Sequence, residues 1–198
     1  MNNKALAPQK SALTKAFGIV PYLTREEADL LIEEAKRGRK GERDALLVQV
    51  LYQTGLRISE ALSLSPSKIR GFEGRPALEV IGKGRKLRMV ACPERLSEKL
   101  QAYAYQEKLE AQDRFFPINR QRAWQILKGL SQKVGLPKRV YPHLLRHSDA
   151  IERLRQTGNP KALQHHLGHA STTMVMRYLS TLTKEDSLRI QQEVKFEE

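Results

Sequence analysis

Three short segments of this 198-residue sequence carry residue types that could act on a phosphate ester. Thr54-Gly55-Leu56-Arg57-Ile58-Ser59-Glu60 sets an arginine at the start of a short helical pattern. His143-Leu144-Leu145-Arg146-His147 sets a histidine and an arginine at i and i+3, on one helix face. Leu167-Gly168-His169 is followed, nine residues after the histidine, by Tyr178. A guanidinium offers paired N–H donors in a fixed fork, so Arg57 and Arg146 together could clamp phosphate oxygens and stabilise charge growing on them. A tyrosine hydroxyl is a nucleophile only with a proton acceptor or a strongly cationic site, because its ordinary pKa is about 10. His143, with a near-neutral pKa, is read as that acceptor.

Each residue also has a plainer reading. Arg57 and Glu60, at i and i+3, could form a salt bridge, and Glu60 is read as structural, holding the Arg57 helix. Arg146 could be one phosphate contact among many. Tyr178, near Met174 and Val175, could be a core aromatic. His143 and His147, like His165 and His169, have the i, i+4 spacing of a zinc pair. Neither pair has the intervening glutamate of a zinc-protease helix, and Cys92 is far off, so no metal is expected. His147, His165 and His166 are read as structural or DNA-facing.

The elements that must position these groups are mostly helical. Thr24 and Glu27 have capping-box spacing, and Ala28, Leu31, Ile32 and Ala35 follow at helical intervals. A helix over about 42–53 ends at Thr54-Gly55, and a short one carries Ile58 to Leu64 up to Pro66. Leu78, Val80 and Ile81, then a Gly82–Arg85 turn, then Leu87, Met89 and Val90 read as a hairpin. Helices are expected over about 94–110, 120–134, 142–156 and 160–167. A short one from Ser171 holds Tyr178, and a final one starts at Thr183, joined through a short tether at Leu179–Leu182. The expected class is α+β, mainly α, with a small antiparallel sheet packed against a helical bundle.

Charge narrows the partner. The formal net charge is +13, and a domain this basic points to a polyanion, most often nucleic acid. From Arg114 to Lys184 there are thirteen Lys or Arg and two acids, Asp149 and Glu152, whereas an ordinary solvated face mixes both signs. One cysteine excludes an intrachain disulfide and suits a reducing compartment. No apolar run approaches the roughly 20 residues of a membrane span, so a cytoplasmic, nucleoid-associated protein without a membrane partner is expected.

Taken in order, TGLRxSE, a GKG hairpin lysine, HxxRH, LGH and Tyr, the motifs resemble the signature of tyrosine recombinases of the phage-integrase type, over about residues 22–195. The resemblance implies a catalytic set of Arg57, Lys83, His143, Arg146, His169 and Tyr178. In it Tyr178 is the nucleophile, Lys83 the general acid for the leaving 5′-oxygen, and His169 a phosphate hydrogen-bond donor. It implies cleavage and rejoining of duplex DNA through a 3′-phosphotyrosyl bond, with no metal, cofactor or ATP. It also implies a homotetramer on paired sites, with a C-terminal helix (about 183–195) docked on a neighbour and room for accessory DNA-bending proteins. Arg85, Lys86 and Arg88 on the hairpin, and Arg120 and Arg122 on a helix, are read as DNA contacts. Most members carry a further N-terminal DNA-binding domain; residues 1–20 read as an arm or linker and 21–198 as the catalytic domain, with no such domain expected. The rival readings are a type IB topoisomerase-like DNA-relaxing enzyme and a non-catalytic DNA-binding regulator.

Overall fold

The computed structural model describes residues 20–82, 87–168 and 172–192, with the backbone course alone over 183–192. Residues 1–19, 83–86, 169–171 and 193–198 lie outside that description. The expected arm, Lys83, Arg85, Lys86 and His169 fall there.

Helix α1 (Arg25–Lys36) starts where the sequence places it. Thr24 accepts from the Glu27 N–H and Glu27 caps Thr24 in return, and Ala28, Leu31, Ile32 and Ala35 are buried. Helix α2 (Gly41–Thr54) is buried on nearly every side and forms the central rod. It stops at Gly55, whose φ of +60° lets the chain turn sharply towards Arg57. The one-turn helix α3 (Ile58–Ala61) follows.

The sheet has three strands, β1 (Ile69–Phe72), β2 (Arg75–Ile81) and β3 (Leu87–Ala91), in antiparallel order β1-β2-β3. The β2–β3 hairpin is the expected one, with Ile81 opposite Leu87 across the turn. Strand β1 was not expected; it pairs Ile69 with Leu78 and Phe72 with Arg75. Helices α4 (Glu94–Gln106), α5 (Arg120–Lys133), α6 (Pro142–Thr157) and α7 (Pro160–Leu167) complete the body. Asn119 and Asn159 cap α5 and α7 as their sequence positions suggest.

The C-terminal part departs from expectation. A single helix, α8 (Thr173–Gln192), runs through Tyr178 and past Thr183 without a break. The tether read at Leu179–Leu182 is helical: Thr181 bonds its hydroxyl back to the Arg177 carbonyl at 2.9 Å instead of leaving the helix.

Helix α6 joins two apolar clusters. Leu144 and Leu145 belong to the larger, built on α1, α2, the sheet and α5. Ala150, Ile151 and Leu154 belong to a smaller one with Leu163, Leu167, Val175, Tyr178 and Leu182. The segment before α1 straps across the join, with Leu23 N–H donating to Ser148 at 2.8 Å and Val20 N–H to Thr181 at 3.1 Å.

Candidate active site

The two arginines come together at the end of α7. Arg146 is buried at 3 % exposure on α6. Its guanidinium donates to the carbonyls of Gly55, at the end of α2, and of Leu167, at 2.7 Å. Arg57 donates to the neighbouring Gly168 carbonyl at 3.4 Å. Unpaired carbonyls at a helix C-terminus carry partial negative charge, so the last turn of α7 is a natural seat for two cations. Burial lowers the Arg146 pKa to about 10, leaving it cationic at neutral pH.

Glu60 holds Arg57 from the other side, as expected from sequence. Its carboxylate accepts the Arg57 N–H at 2.8 Å and the guanidinium at 2.9 Å. It also accepts a two-pronged pair from Arg88, at 2.7 and 3.0 Å. Burial pushes its pKa up, but the bonds from Arg88 and Arg57 more than offset this and keep it below the ordinary carboxylate value.

Arg88, read from sequence as a DNA contact, has a partner inside the protein. Its guanidinium turns inward onto Glu60, and its stem lies against Gly168, where an added Cβ would meet it at 3.0 Å. It braces Glu60, the carboxylate partner of Arg57. Strand period could have signalled this: Arg88 and the buried Val90 are two residues apart and share the inner face.

The contacts of Tyr178 involve a histidine other than the one read from sequence as the acceptor. Tyr178 points its hydroxyl at His147, Nδ1 to Oη 2.7 Å, and not at His143. His143 is exposed, and its ring stacks near that of His147 with centroids 6.3 Å apart. Burial, with His143 and Arg146 nearby, lowers the His147 pKa to about 4, so the ring is neutral at pH 7 and can accept at Nδ1. Burial, with Arg146 to the side, also lowers that of His143. Tyr178 is 1 % exposed, and burial pushes its pKa up to about 12. The plain reading of Tyr178 as a core aromatic thus holds together with its place at the site. In the sequence His147 closes the HxxRH motif and forms an i, i+4 pair with His143, and it is read there as structural or DNA-facing.

The depressed pKa of His147 gives a pH prediction. Between about 6.5 and 4 the unfolded chain binds a proton that the folded chain excludes, so stability should be full above pH 6.5 and fall as pH drops through that window. With allowance for solvent screening of a partly exposed ring, the loss should be on the order of 1 kcal/mol. Thermal unfolding of wild type and His147→Gln across pH 4–7 checks it; the variant should show the shallower slope.

Outside this cluster, Arg120 and Arg122 sit exposed at the start of α5. Arg120, Trp124, Arg139 and Tyr141 line a groove of about 500 Å³ that opens beside His143. Lys128 and Arg139 lie over the Trp124 ring at 5.4 and 5.2 Å. Among the described residues no group of His, Cys, Asp and Glu is placed to hold a metal, and no helix is long and apolar enough to cross a membrane.

Residues 21–185 match the phage integrase family model. The chain belongs to the phage integrase family. Among curated relatives, tyrosine recombinase XerD of Oceanobacillus iheyensis is 32 % identical over 178 residues, covering 83 % of this chain and 59 % of the relative. The XerD of Corynebacterium glutamicum is 35 % identical over 157 residues, covering 74 % and 50 %. This integrase-family chain thus spans roughly half to three-fifths of the length of these relatives. Among solved structures, XerA recombinase superposes with a TM-score of 0.71 at 27 % identity, over 90 % of this chain and 67 % of that one. The catalytic domain of bacteriophage HP1 integrase shares the fold, with a TM-score of 0.64 at 22 % identity, over 88 % and 96 %. A pre-cleavage complex of XerH site-specific recombinase bound to difH substrate also shares it, with a TM-score of 0.71 at 23 % identity, over 85 % and 53 %. The mainly α fold with a small antiparallel sheet is that of the integrase-family catalytic domain.

Proposed function

We propose that this chain is the catalytic part of a site-specific DNA recombinase, cleaving and rejoining duplex DNA through a 3′-phosphotyrosyl bond. The observation that carries the reading is the seating of Arg57 and Arg146 on adjacent carbonyls of one helix end, with the Tyr178 hydroxyl hydrogen-bonded to a neutral histidine on the same helix as Arg146. Family membership, and the relatives named as recombinases, support it.

In this reading the two guanidiniums hold the non-bridging oxygens of the scissile phosphate. The phenolic oxygen of Tyr178 attacks phosphorus as the P–O5′ bond breaks, and the phenolic proton passes to an imidazole. His147 already holds that hydroxyl, while His143 lies closer to solvent and the substrate. The 5′-oxygen leaves with a proton, which the family resemblance assigns to Lys83, and His169 would add a phosphate contact. The phosphotyrosyl ester retains the energy of the bond it replaces, so attack by a 5′-hydroxyl reverses the step on the same or a partner strand. Arg120 and Arg122, and by resemblance Arg85 and Lys86, would track phosphates around the cut.

Because Tyr178 is buried, cleavage requires α8 to carry it outward. Its continuity past Thr183 makes a neighbour's grip on the far half a direct lever on the nucleophile. This suits coordinated action in a homotetramer on paired sites, with or without accessory DNA-bending proteins.

A pool of duplexes with a randomised centre and a nick near the cleavage position tests the reading. Strand loss at the nick prevents rejoining, so an enzyme should accumulate covalent adduct, and sequencing the attached DNA defines its site. Gel-shift binding without adduct would favour a regulator. Relaxation of supercoiled plasmid without joining of two duplexes would favour a topoisomerase-like enzyme.

A further inference from the structure

Behind the two arginines lies a buried carboxylate that the chemistry above does not use. Asp149, on α6 one turn after Arg146, is 3 % exposed. Its Oδ1 accepts from Arg153 Nε at 2.8 Å, and Arg153 in turn donates to the Gln53 carbonyl at 2.6 Å. Its Oδ2 is the buried side-chain atom that has no hydrogen-bond partner among the described residues. His166 lies beside it, its Nε2 3.7 Å from Oδ2 and 3.1 Å from the Thr54 carbonyl. A carbonyl can only accept, so Nε2 must carry the proton that it donates to Thr54. Oδ2 also presses on Gly55, where an added Cβ would collide with it.

These contacts converge on one short piece of backbone. Gln53, Thr54 and Gly55 each offer a carbonyl, taken by Arg153, His166 and Arg146 respectively. That piece ends α2 and leads, through Leu56, into Arg57. A buried carboxylate is costly to desolvate, and an oxygen without a bond among the described residues adds to the cost. An apolar side chain would pack the position with less penalty, which argues that the charge serves the site and not the core.

We propose that Asp149 is a positioning residue for DNA cleavage: with Arg153 and His166 it clamps the Gln53–Gly55 turn, and so fixes the seat of Arg146 and the approach of Arg57. The inference rests on the recombinase reading for its consequence but not for its geometry. Misplacing a reacting group by about 1 Å can lower a rate roughly 100-fold even when the change lies away from the chemistry.

The test uses the full chain and the duplex recovered from the nicked pool. Asp149→Asn keeps the shape and removes the charge. At saturating DNA its rate of adduct formation should fall about 10- to 100-fold, with DNA affinity and melting temperature close to wild type. The Arg146 guanidinium N–H resonances, slowed from water exchange in wild type by the Gly55 and Leu167 carbonyls, should broaden in the variant without any DNA present. In an Arg146→Lys background the same substitution should cost little further rate, because the group it positions is already changed. Should Asp149→Asn fail to fold, Arg153→Gln releases the clamp from a more exposed residue and carries the same expectations. Unchanged rate and unchanged Arg146 resonances overturn the proposal, as do losses that add in the double variant or follow a lowered melting temperature. Broadened Arg146 resonances in a protein whose wild type traps no DNA would leave the clamp standing and sink the recombinase reading instead.

Discussion

Tyr178→Phe should abolish covalent attachment to DNA while leaving the fold and DNA binding in place. The ring packs in the smaller apolar cluster with Val175, Leu163 and Leu167, and phenylalanine fills the same space. Removing the hydroxyl breaks its 2.7 Å bond to His147, and a single hydrogen bond contributes about 0.5–1.5 kcal/mol net. Folding should therefore change little, whereas adduct should fall below detection, because phenylalanine has no oxygen to attack with. The site geometry names a rival: Tyr141 lines the groove beside His143, nearer to solvent than the buried Tyr178. Tyr141→Phe should still form adduct. Peptide mapping of trapped DNA decides between them, and DNA found on Tyr141 would overturn the assignment.

Much of this site was legible in the sequence because its parts are local. The turn after α2 needs a residue at positive φ, and Gly55 announces it; the caps at Thr24, Asn119 and Asn159 fix helix starts by side-chain chemistry alone. The order of Arg57, Arg146 and Tyr178 along the chain likewise identified the groups that the fold assembles. What the sequence leaves open depends on tertiary choice. Arg88 has one cationic side chain and two anionic partners to choose from, DNA outside or Glu60 inside, and only the packed strand decides. His143 and His147 share a helix face, so their spacing cannot say which one α8 will meet. Thr183 is a good N-terminal signal, yet α8 already supplies helical backbone there, and a cap serves only where a helix begins. Strand β1 holds Gly71 and lies at the sheet edge with mostly exposed side chains, so no buried alternation marks it.

Arg57→Ala and Arg146→Ala should each slow cleavage far more than they weaken DNA binding, and they should differ in what they do to the fold. Removing one preorganised donor to a developing oxyanion typically lowers a rate by about 10²–10³. The chain carries 35 lysines and arginines, so the loss of one should move affinity only a few-fold. For Arg57→Ala the protein loses a partly exposed side chain, and Glu60 keeps its two-pronged pair with Arg88. Its melting temperature should stay near wild type. For Arg146→Ala the carbonyls of Gly55 and Leu167 are left buried beside a cavity, at about 1–3 kcal/mol for each unpaired group, so the rate loss should come with a clear fall in melting temperature. Arg146→Lys should rescue little of the rate, because an ammonium cannot span two carbonyls and still present a planar fork to phosphate. Both variants, like wild type, should cleave equally well with and without EDTA, since guanidiniums occupy the role a metal ion would otherwise take. Single-turnover cleavage, filter binding and thermal unfolding on the same preparations separate these effects. A wild-type activity lost in EDTA and restored by Mg²⁺ or Zn²⁺ would place the phosphate on a metal, and the arginine seat at the end of α7 would then be scaffolding for the fold.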